Sequence, residues 1–255
     1  MKLLLKFFQV IYTVYAFLLF ILLMLVVVPF VIIASFFGKV RGGNFIYRLC
    51  YLWALVWCFC IGVRHRNIYL SDSAPTHHCI YVINHISYMD IPILLLALRS
   101  PIRVLGKVEL SRIPIFGLVY KNTTVMVDRS STENRAKSVM TLKAVLRSGV
   151  SIVIFPEGTF NETGKPLAEF FNGAFRIAVE TQTPIRPVIF ADSAKRLHYS
   201  SIFTLTPGRS RAVFLEEVPV SGLTMQDLDA LKKTVFNKME SAIVKWGEKP
   251  VRSAS

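Results

Sequence analysis

The sequence predicts an α/β fold, in which a mostly parallel central sheet flanked by helices is preceded by an N-terminal apolar helical hairpin. Three observations support this prediction. Residues 1–63 contain no aspartate or glutamate, whereas residues 64–255 hold 25 basic and 16 acidic residues. In the second part, short apolar runs alternate with helical patterns, which is typical of α/β sheets. Several of these runs end in polar clusters, as strands do at the functional edge of such sheets.

The N-terminal part consists of two apolar runs. Residues 7–37 contain a single strongly polar side chain, Gln9. As a helix this run would measure roughly 46 Å, more than the roughly 30 Å hydrocarbon core of a bilayer. A short basic link leads to a second run over residues 45–63, which is interrupted by Arg48. The first run is too long for a cleaved secretory signal, so we expect a helical membrane anchor.

Three membrane arrangements fit these two runs: one span, two spans, or a hairpin that dips into one leaflet. Two spans would place the basic link outside, and one span could place the basic N-terminus there, against the usual preference for basic residues inside. A one-leaflet hairpin avoids both conflicts, and its Trp53 and Trp57 would suit a membrane interface. Arg64 and Arg66 follow the second run and indicate that the rest of the chain lies on the cytoplasmic face of the inner membrane.

The composition predicts two parts. Residues 1–63 would form a membrane anchor in lipid, and residues 64–255 would form a catalytic domain in water. The second part has a net charge of +9, which favours an anionic partner. Because the chain has no recognisable nucleic-acid motif, a phospholipid membrane is the expected partner and nucleic acid is not. Four cysteines lie in or beside apolar runs without zinc-site spacing, which predicts free thiols in a reducing compartment: Cys50, Cys58, Cys60 and Cys79.

The second part is predicted to fold as one domain in which strands and helices alternate. A helix over residues 91–96 follows the first strand. A capping box of Ser130 and Glu133 begins a later helix. Thr224 with Asp227 caps a final amphipathic helix in the same way. The apolar runs predicted as strands cover residues 79–83, 101–105, 123–127, 151–155, 187–190 and 212–215.

A histidine and an aspartate stand five residues apart directly after the first predicted strand. His85 follows the run 79–83, and Asp90 precedes the helical run 91–96. The loop can turn back so that Asp90 accepts one imidazole N–H, which leaves the other ring nitrogen of His85 free as a base. We interpret His85 as the catalytic proton acceptor and Asp90 as the group that holds its tautomer. The alternative is that Asp90 only begins a helix, a role that Pro92 would also suit.

Two more polar clusters follow later strands and would meet the first cluster at one edge of a parallel sheet. Glu157, Gly158 and Thr159 follow one strand. There a carboxylate could accept hydrogen bonds from substrate hydroxyls, and the glycine would let a substrate approach the backbone. Arg129 follows another strand, and Lys107 stands two residues beyond a third. These two cations are predicted to bind a phosphate, although they would also suit a solvated basic face.

Two other chemistries are not expected. His77 and His78 are adjacent, so on a strand they would point to opposite faces and would not share a metal ion. Ser87 lies near His85, but no G-x-S-x-G turn precedes a helix in the sequence, which argues against a serine hydrolase. The nucleophile is therefore expected to come from the substrate.

Taken in order, these motifs resemble four sequence blocks of the 1-acylglycerol-3-phosphate acyltransferases, a family within the wider glycerolipid acyltransferase group. The resemblance spans residues 64–215. The blocks are Asn84-His85 through Asp90; Gly106-Lys107-Val108-Glu109-Leu110 with Pro114 and Gly117; Phe155-Pro156-Glu157-Gly158-Thr159; and Thr183-Pro184-Ile185 with Pro187-Val188.

The resemblance implies transfer of an acyl chain from an acyl-CoA or acyl-carrier-protein thioester to the sn-2 hydroxyl of lysophosphatidic acid, which gives phosphatidic acid. His85 would act as the base on that hydroxyl, and Lys107 would hold the acceptor phosphate. No metal or other cofactor would be needed, because the thioester is a donor substrate. The implied partners are a phospholipid membrane, a lysophospholipid acceptor and either acyl-CoA or an acidic acyl-carrier protein.

One position departs from the family pattern. Arg-Ser usually follows the threonine of the third block, whereas Phe160-Asn161 stands here. If relatives use that arginine to bind phosphate, this chain must use another cation, such as Arg129, Lys165 or Arg176, or accept a different head group. Acylation of another lysophospholipid or of an amino-acid lipid is therefore one alternative function. A catalytically silent lipid-binding protein is a second alternative.

Overall fold

A computed structural model describes residues 2–71, 78–127 and 132–247, and it confirms a mixed α/β fold with a long apolar N-terminal helix. The α-helices in these ranges are α1 (Lys2–Ser35), α2 (Gly43–Cys60), α3 (Asp90–Ala97), α4 (Phe116–Thr123), α5 (Thr132–Arg147), α6 (Gly173–Thr181), α7 (Ser193–Arg196) and α8 (Leu228–Trp246). The strands are β1 (Val63–Tyr69), β2 (Ile80–Ile83), β3 (Arg103–Lys107), β4 (Thr124–Val127), β5 (Ile152–Ile154), β6 (Ile185–Phe190) and β7 (Gly208–Phe214).

The seven strands form one sheet in the order β1-β7-β6-β2-β5-β3-β4. Strands β2, β3, β4, β5 and β6 run in the same direction, so their carboxyl ends lie at one edge of the sheet. Strand β7 is antiparallel to β6, and β1 is parallel to β7. The sheet is therefore mostly parallel, as predicted, and the loops that follow β2 and β5 emerge side by side.

Helices cover the sheet on both faces. Because side chains alternate along a strand, Ile80 and Val82 of β2 pack into one apolar core, and Tyr81 and Ile83 pack into the other. Helices α5, α6 and α8 cover the first of these faces, whereas α1, α2, α3 and α4 contribute to the second. This three-layer arrangement explains why β2 and β5 are uniformly apolar between polar ends.

The two N-terminal helices pack against each other through aromatic side chains. The rings of Trp53 and Trp57 stack with centroids 5.9 Å apart, and Phe20 of α1 meets both edge-on. The indole N–H of Trp57 donates to the carbonyl of Ala16 at 2.8 Å. Both tryptophans are buried, so the expectation that they would lie at a membrane interface is wrong. They hold α2 against α1 instead.

Helix α2 belongs to the α/β layers as well as to the hairpin. It packs against α3, α4 and β1, and the hydroxyl of Tyr47 donates to the carbonyl of Leu98 at 2.5 Å. A π-helical turn, Gly38–Gly42, joins α1 to α2. The buried guanidinium of Arg103 donates to the carbonyl of Lys39 at 2.7 Å and to Oδ1 of Asn44 at 2.9 Å. The hairpin turn is thereby attached to the first residue of β3.

The structure adds one strand that the sequence pattern did not predict. Strand β1 begins at Val63 and pairs with β7 along its whole length, from Val63 opposite Gly208 to Tyr69 opposite Phe214. Its sequence is mostly polar, because it lies at the edge of the sheet and is buried at its first residue, Val63, but accessible or partly accessible along the rest of its length. The predicted domain boundary at residue 63 thus falls where α2 passes into the sheet. That division of the chain stays a prediction.

The predicted final helix and its N-terminal capping box are present in the structure. Thr224 and Asp227 form a reciprocal capping box on a 3-10 turn that leads directly into α8. The predicted apolar stripe of α8 is buried or partly buried: Leu228, Leu231, Val235, Met239, Ala242 and Ile243. Ser130 of the other predicted capping box lies outside the described residues, and Glu133 is in the first turn of α5.

Candidate functional site

The loop between β2 and α3 brings His85 and Asp90 together. Nδ1 of His85 lies 2.8 Å from Oδ2 of Asp90, the contact that the sequence predicted. The imidazole is 19% exposed, whereas the carboxylate is fully buried at the start of α3. In the described part of the chain, Nε2 of His85 has no hydrogen-bond partner. With the Nδ1 proton directed to the carboxylate, the Nε2 lone pair is the one available to a substrate.

Asp90 also organises the backbone of this loop. Its Oδ2 accepts the backbone N–H groups of Ile86 at 2.8 Å and Ser87 at 2.9 Å, in addition to the imidazole. Asp90 is therefore both the first residue of α3 and the partner of His85, so the two interpretations of this residue are compatible. Ser87 is buried, and its hydroxyl donates to the carbonyl of Leu197, which is a structural role.

Aromatic rings surround the imidazole. Phe155, just after β5, stacks on His85 with ring centroids 4.3 Å apart. Phe160 meets the imidazole edge-on at 4.4 Å and contacts the ring of Tyr88 at 4.8 Å. The ring of His85 is therefore held by a carboxylate at Nδ1 and by two phenyl rings. The residue at the position where the sequence departs from the family pattern is in direct contact with His85.

Glu157 is a neighbour of His85, but its carboxylate faces the protein. It is 3% exposed, and its Oε2 accepts the backbone N–H of His85 at 2.6 Å. Burial raises the pKa of Glu157 to about 8, against the effect of the backbone N–H groups of His85 and Ala168, and the nearby Asp90 raises it further. The contact joins the loops after β2 and β5. The predicted hydrogen bond from a substrate hydroxyl to the carboxylate of Glu157 stays a prediction.

Gly158 and Thr159 complete the turn after β5. Gly158 has a φ of +72°, a conformation that side chains rarely adopt, and its N–H donates to the carbonyl of Phe155 at 3.1 Å. The glycine is thus required by the turn that directs Glu157 inward. Thr159 follows it and is exposed at the same edge. A direct role for either residue in substrate binding stays a prediction.

Of the two cations predicted to bind phosphate, the structure describes Lys107 but not Arg129. Lys107 is the last residue of β3 and is exposed at the edge that carries His85. Strand β5 lies between β3 and β2. The backbone of Lys107 is therefore two strand spacings, roughly 10 Å, from the loop that carries His85. Its carbonyl accepts the hydroxyl of Tyr120 at 2.9 Å, which fixes the backbone there. Arg129 lies outside the described residues, so its predicted role is untested.

Comparison with known proteins decides the family of this chain. The acyltransferase family model matches residues 65–191. A 1-acyl-sn-glycerol-3-phosphate acyltransferase alpha from Mus musculus is 32% identical over 212 residues, which cover 78% of this chain and 71% of the relative. The chain belongs to the 1-acyl-sn-glycerol-3-phosphate acyltransferase family. The resemblance drawn from the four motif blocks is confirmed, and with it the expectation of an acyltransferase.

Other members of this acyltransferase family show similar levels of identity. A human 1-acyl-sn-glycerol-3-phosphate acyltransferase beta is 31% identical over 187 residues, covering 71% of this chain and 64% of the relative's length. A 1-acyl-sn-glycerol-3-phosphate acyltransferase from Haemophilus influenzae is 29% identical over 195 residues, covering 74% of this chain and 78% of the relative.

A solved structure shares the whole fold of this acyltransferase. The crystal structure of a 1-acyl-sn-glycerophosphate acyltransferase from Thermotoga maritima matches with a TM-score of 0.69 and 21% identity. The match covers 96% of this chain and 100% of that one. Because it extends over nearly the full chain, the likeness confirms the predicted fold class.

Several residues that build the site of this acyltransferase were not singled out from the sequence. Asn84 bridges the ends of β2 and β6, since its Oδ1 accepts the N–H of Phe190 at 2.7 Å. The N–H of Asn161 donates to the carbonyl of His85 at 2.8 Å, and its own side chain holds the turn to Lys165. Asn84 and Asn161 lie within the motif blocks or beside them. The available signals were the position of Asn84 beside His85 and that of Asn161 just after the third block.

Proposed function

We propose that this chain transfers a fatty acyl group from acyl-CoA or acyl-carrier protein to the sn-2 hydroxyl of lysophosphatidic acid, giving phosphatidic acid for phospholipid synthesis. Membership of the acyltransferase family supports this reaction. The observation that carries it is the 2.8 Å contact between Nδ1 of His85 and Asp90, with Nε2 left for a substrate. This arrangement suits activation of a substrate hydroxyl, and the nearby buried Ser87 is not available as a nucleophile.

In the proposed mechanism, Nε2 of His85 takes the proton from the acceptor hydroxyl as its oxygen attacks the thioester carbonyl carbon. The carbon–sulfur bond of the tetrahedral intermediate then breaks, and the thiolate takes the proton back from the imidazolium. Asp90 holds the required tautomer throughout and stabilises the imidazolium that forms. Phe155 and Phe160 restrict the imidazole to one orientation, which favours a single geometry of attack.

Association with a membrane would bring the enzyme close to its amphipathic substrates. Helix α1 is long and apolar enough to cross a bilayer by length and composition, and most of its large side chains are exposed. Helix α2 is nearly half buried and packs along α3, α4 and β1. This packing supports a hairpin lying in one leaflet over two free spans. Arg64 and Arg66, which follow α2, support a catalytic domain on the cytoplasmic face of the inner membrane.

The test is an acyl-transfer assay with the purified full-length protein in mixed micelles. Lysophosphatidic acid is offered with labelled acyl-CoA in one arm and with labelled acyl-carrier protein in the other. We expect labelled phosphatidic acid, and we expect His85→Ala to abolish its formation. His78→Ala is the matched control, because His78 precedes β2 at the opposite edge of the sheet. Unchanged activity in the His85 variant would show that His85 is not the base, whereas no labelled product from the wild type in either arm would favour a silent lipid-binding protein.

A second acceptor class is favoured by the position of Phe160. Where the family pattern has arginine, a phenyl ring contacts both His85 and Tyr88, so the edge of the imidazole faces an apolar wall. Such a wall would suit an acceptor without a phosphate next to the reacting hydroxyl, such as a hydroxyacyl amino-acid lipid.

The same assay separates the two acceptors when it includes lysophosphatidic acid, lysophosphatidylcholine and a hydroxyacyl amino-acid lipid. We expect lysophosphatidic acid to have the highest kcat/KM, and we expect Phe160→Arg to raise that preference. A preference of tenfold or more for the amino-acid lipid would identify the second function. Phe171→Arg is a matched control, because Phe171 is an exposed phenylalanine of the same loop.

A further inference from the structure

We propose that a basic cleft beneath the hairpin turn binds the phosphate group of an anionic membrane lipid. The cleft has a volume of about 280 Å³ and lies between the hairpin turn, the end of α4, strand β4 and helix α5. Four cations line it, namely Lys39, Arg103, Lys121 and Lys137. We call it the basic cleft.

The charged residues described in the lining of the basic cleft are all positive. None of the described residues that line it is an aspartate or glutamate. Lys137 pairs with the exposed Glu133 at 2.8 Å, one turn earlier on α5. Within the described ranges, Lys39 and Lys121 form no ion pair. Two or three positive charges are therefore left facing one small space, which favours a ligand with negative oxygens.

The wall of the basic cleft is a fixed structure. The buried guanidinium of Arg103 holds the carbonyl of Lys39, which sets the position of the hairpin turn. Gly43 begins α2 so close to its neighbours that an added Cβ would lie 2.6 Å from the carbonyl oxygen of Asn122. The turn is thus pressed against the residue that follows Lys121. Backbone contacts bring Lys39 and Lys121 to the same cleft before a ligand binds. Binding therefore requires little ordering of the protein backbone.

The surroundings of the cleft indicate a lipid as the source of the phosphate. Phe36 and Phe37, in the segment before the turn, are 84% and 68% exposed, and Val40 in the turn itself is also exposed. These side chains continue the exposed apolar surface of α1. Cations placed directly beside apolar side chains are the arrangement that binds anionic lipid surfaces. A phosphate held by the cleft would sit at the head-group level while the apolar turn contacts the acyl chains.

The basic cleft is distinct from the site at His85. Arg103 and Thr124 are the first residues of β3 and β4, whereas His85 follows the last residue of β2. These three strands run in the same direction, so the cleft and the histidine lie toward opposite edges of the sheet. A lipid bound here would orient the protein on the membrane without occupying the acyl-transfer site.

The experiment measures lipid binding to the full-length protein in neutral detergent micelles by native mass spectrometry. The probes are dihexanoyl-phosphatidylglycerol, dihexanoyl-phosphatidylcholine and inorganic phosphate. Lys39→Gln combined with Lys121→Gln is compared with Lys233→Gln combined with Lys238→Gln, which removes the same charge from α8. We expect the first pair to weaken phosphatidylglycerol binding about 25-fold, since each lysine near a lipid phosphate contributes roughly fivefold. The control pair and phosphatidylcholine binding should show changes below twofold.

Acyl transfer in neutral micelles separates this proposal from the proposed function, because both pairs should retain full activity there. Equal loss of phosphatidylglycerol binding in the two pairs would overturn the basic cleft as a site. Inorganic phosphate binding as tightly as the lipid would identify a soluble anion as the ligand and overturn the lipid source. Loss of acyl transfer together with lipid binding would place these lysines in the catalytic reaction and also contradict the proposal.

Discussion

A single carboxylate oxygen organises the loop that carries the proposed base. Oδ2 of Asp90 accepts the imidazole and two backbone N–H groups, so the position of the ring and the path of the loop depend on the same atom. Glu157 then fixes the backbone of His85 from the other loop. The aromatic contacts of Phe155 and Phe160 complete the restraint. The position of Nε2 therefore depends on contacts made by the rest of the imidazole and by the loop backbone.

Asp90→Asn tests the partnership between the carboxylate and the imidazole. An asparagine oxygen still accepts the backbone N–H groups of the loop, but the amide does not enforce the same imidazole tautomer. We expect kcat to fall by about 10²–10⁴ while the melting temperature changes little. The measurement is steady-state acyl transfer, with Asp229→Asn as a control on the exposed start of α8. A loss of less than threefold would show that the contact has no catalytic part.

The pKa of Glu157 predicts how stability depends on pH. Burial raises this pKa from its ordinary value of 4.5 to about 8, so the folded protein keeps a proton that the unfolded chain loses. This contribution to stability is present at low pH and is lost as the pH rises through about 8. We expect Glu157→Gln to flatten the fall in melting temperature between about pH 5 and pH 8. Parallel profiles for the wild type, Glu157→Gln and the exposed Glu162→Gln would contradict the raised pKa.

At the scale of elements, the attachment of the hairpin turn to β3 distinguishes this hairpin from a free-standing anchor. Arg103 begins strand β3 and is 6% exposed. It reaches into the turn and satisfies the carbonyl of Lys39 and the side chain of Asn44. A charged group so placed is stable only with such partners, so the turn and the strand depend on each other.

Arg103→Met measures how strongly this attachment stabilises the fold. The substitution keeps the apolar stem but leaves the carbonyl of Lys39 and Oδ1 of Asn44 without this donor, which costs about 2–4 kcal/mol of the free energy of unfolding. We expect a decrease in melting temperature of roughly 5–10 °C in detergent. Arg99→Met, at an exposed position after α3, should change it by less than 2 °C, as expected for roughly 0.5 kcal/mol. Equal effects of both variants would show that the hydrogen bonds add little.

At the scale of the whole molecule, the exposed apolar side chains are concentrated on α1 and the hairpin turn. One side of α1 packs on α2, on α4 and on the 3-10 turn Ile202–Thr204, and most of the large side chains on the opposite side are exposed. Such a large apolar surface is unfavourable in water and is typical of a face that associates with a membrane. Helix α2 packs against α3, α4 and β1, so the hairpin is attached directly to the layers that carry His85.

Charges on the outer face of α1 should release the protein from membranes. Leu18 and Leu22 are 64% and 59% exposed, so Leu18→Lys with Leu22→Lys should leave the fold intact. Because each buried leucine contributes about 1.5–3 kcal/mol, we expect vesicle partitioning to fall by more than tenfold in a flotation assay. Met225→Lys with Val244→Lys places two lysines at exposed apolar positions outside the hairpin and should have no effect. Equal partitioning of both pairs would exclude α1 as the lipid contact.

Patterns local in the sequence determined much of this protein. Periodicity located six of the seven strands described, because a buried strand needs a continuous apolar run wherever it sits in the fold. The five-residue spacing of His85 and Asp90 was sufficient to predict their contact, since both lie on one short loop. The absence of acidic residues before residue 64 was sufficient to predict an apolar hairpin, because lipid excludes charge.

Only the tertiary structure decided the contacts between residues distant in sequence. Glu157 lies 72 positions from His85, and no spacing rule indicates that its carboxylate accepts the backbone N–H of that residue. Strand β1 is mostly polar and was recognisable only through its partner β7, 145 positions later. Trp53 and Trp57 have the composition of a membrane interface but are buried by α1. In each case the deciding energy is burial against a partner, which depends on the folded chain and not on the local sequence.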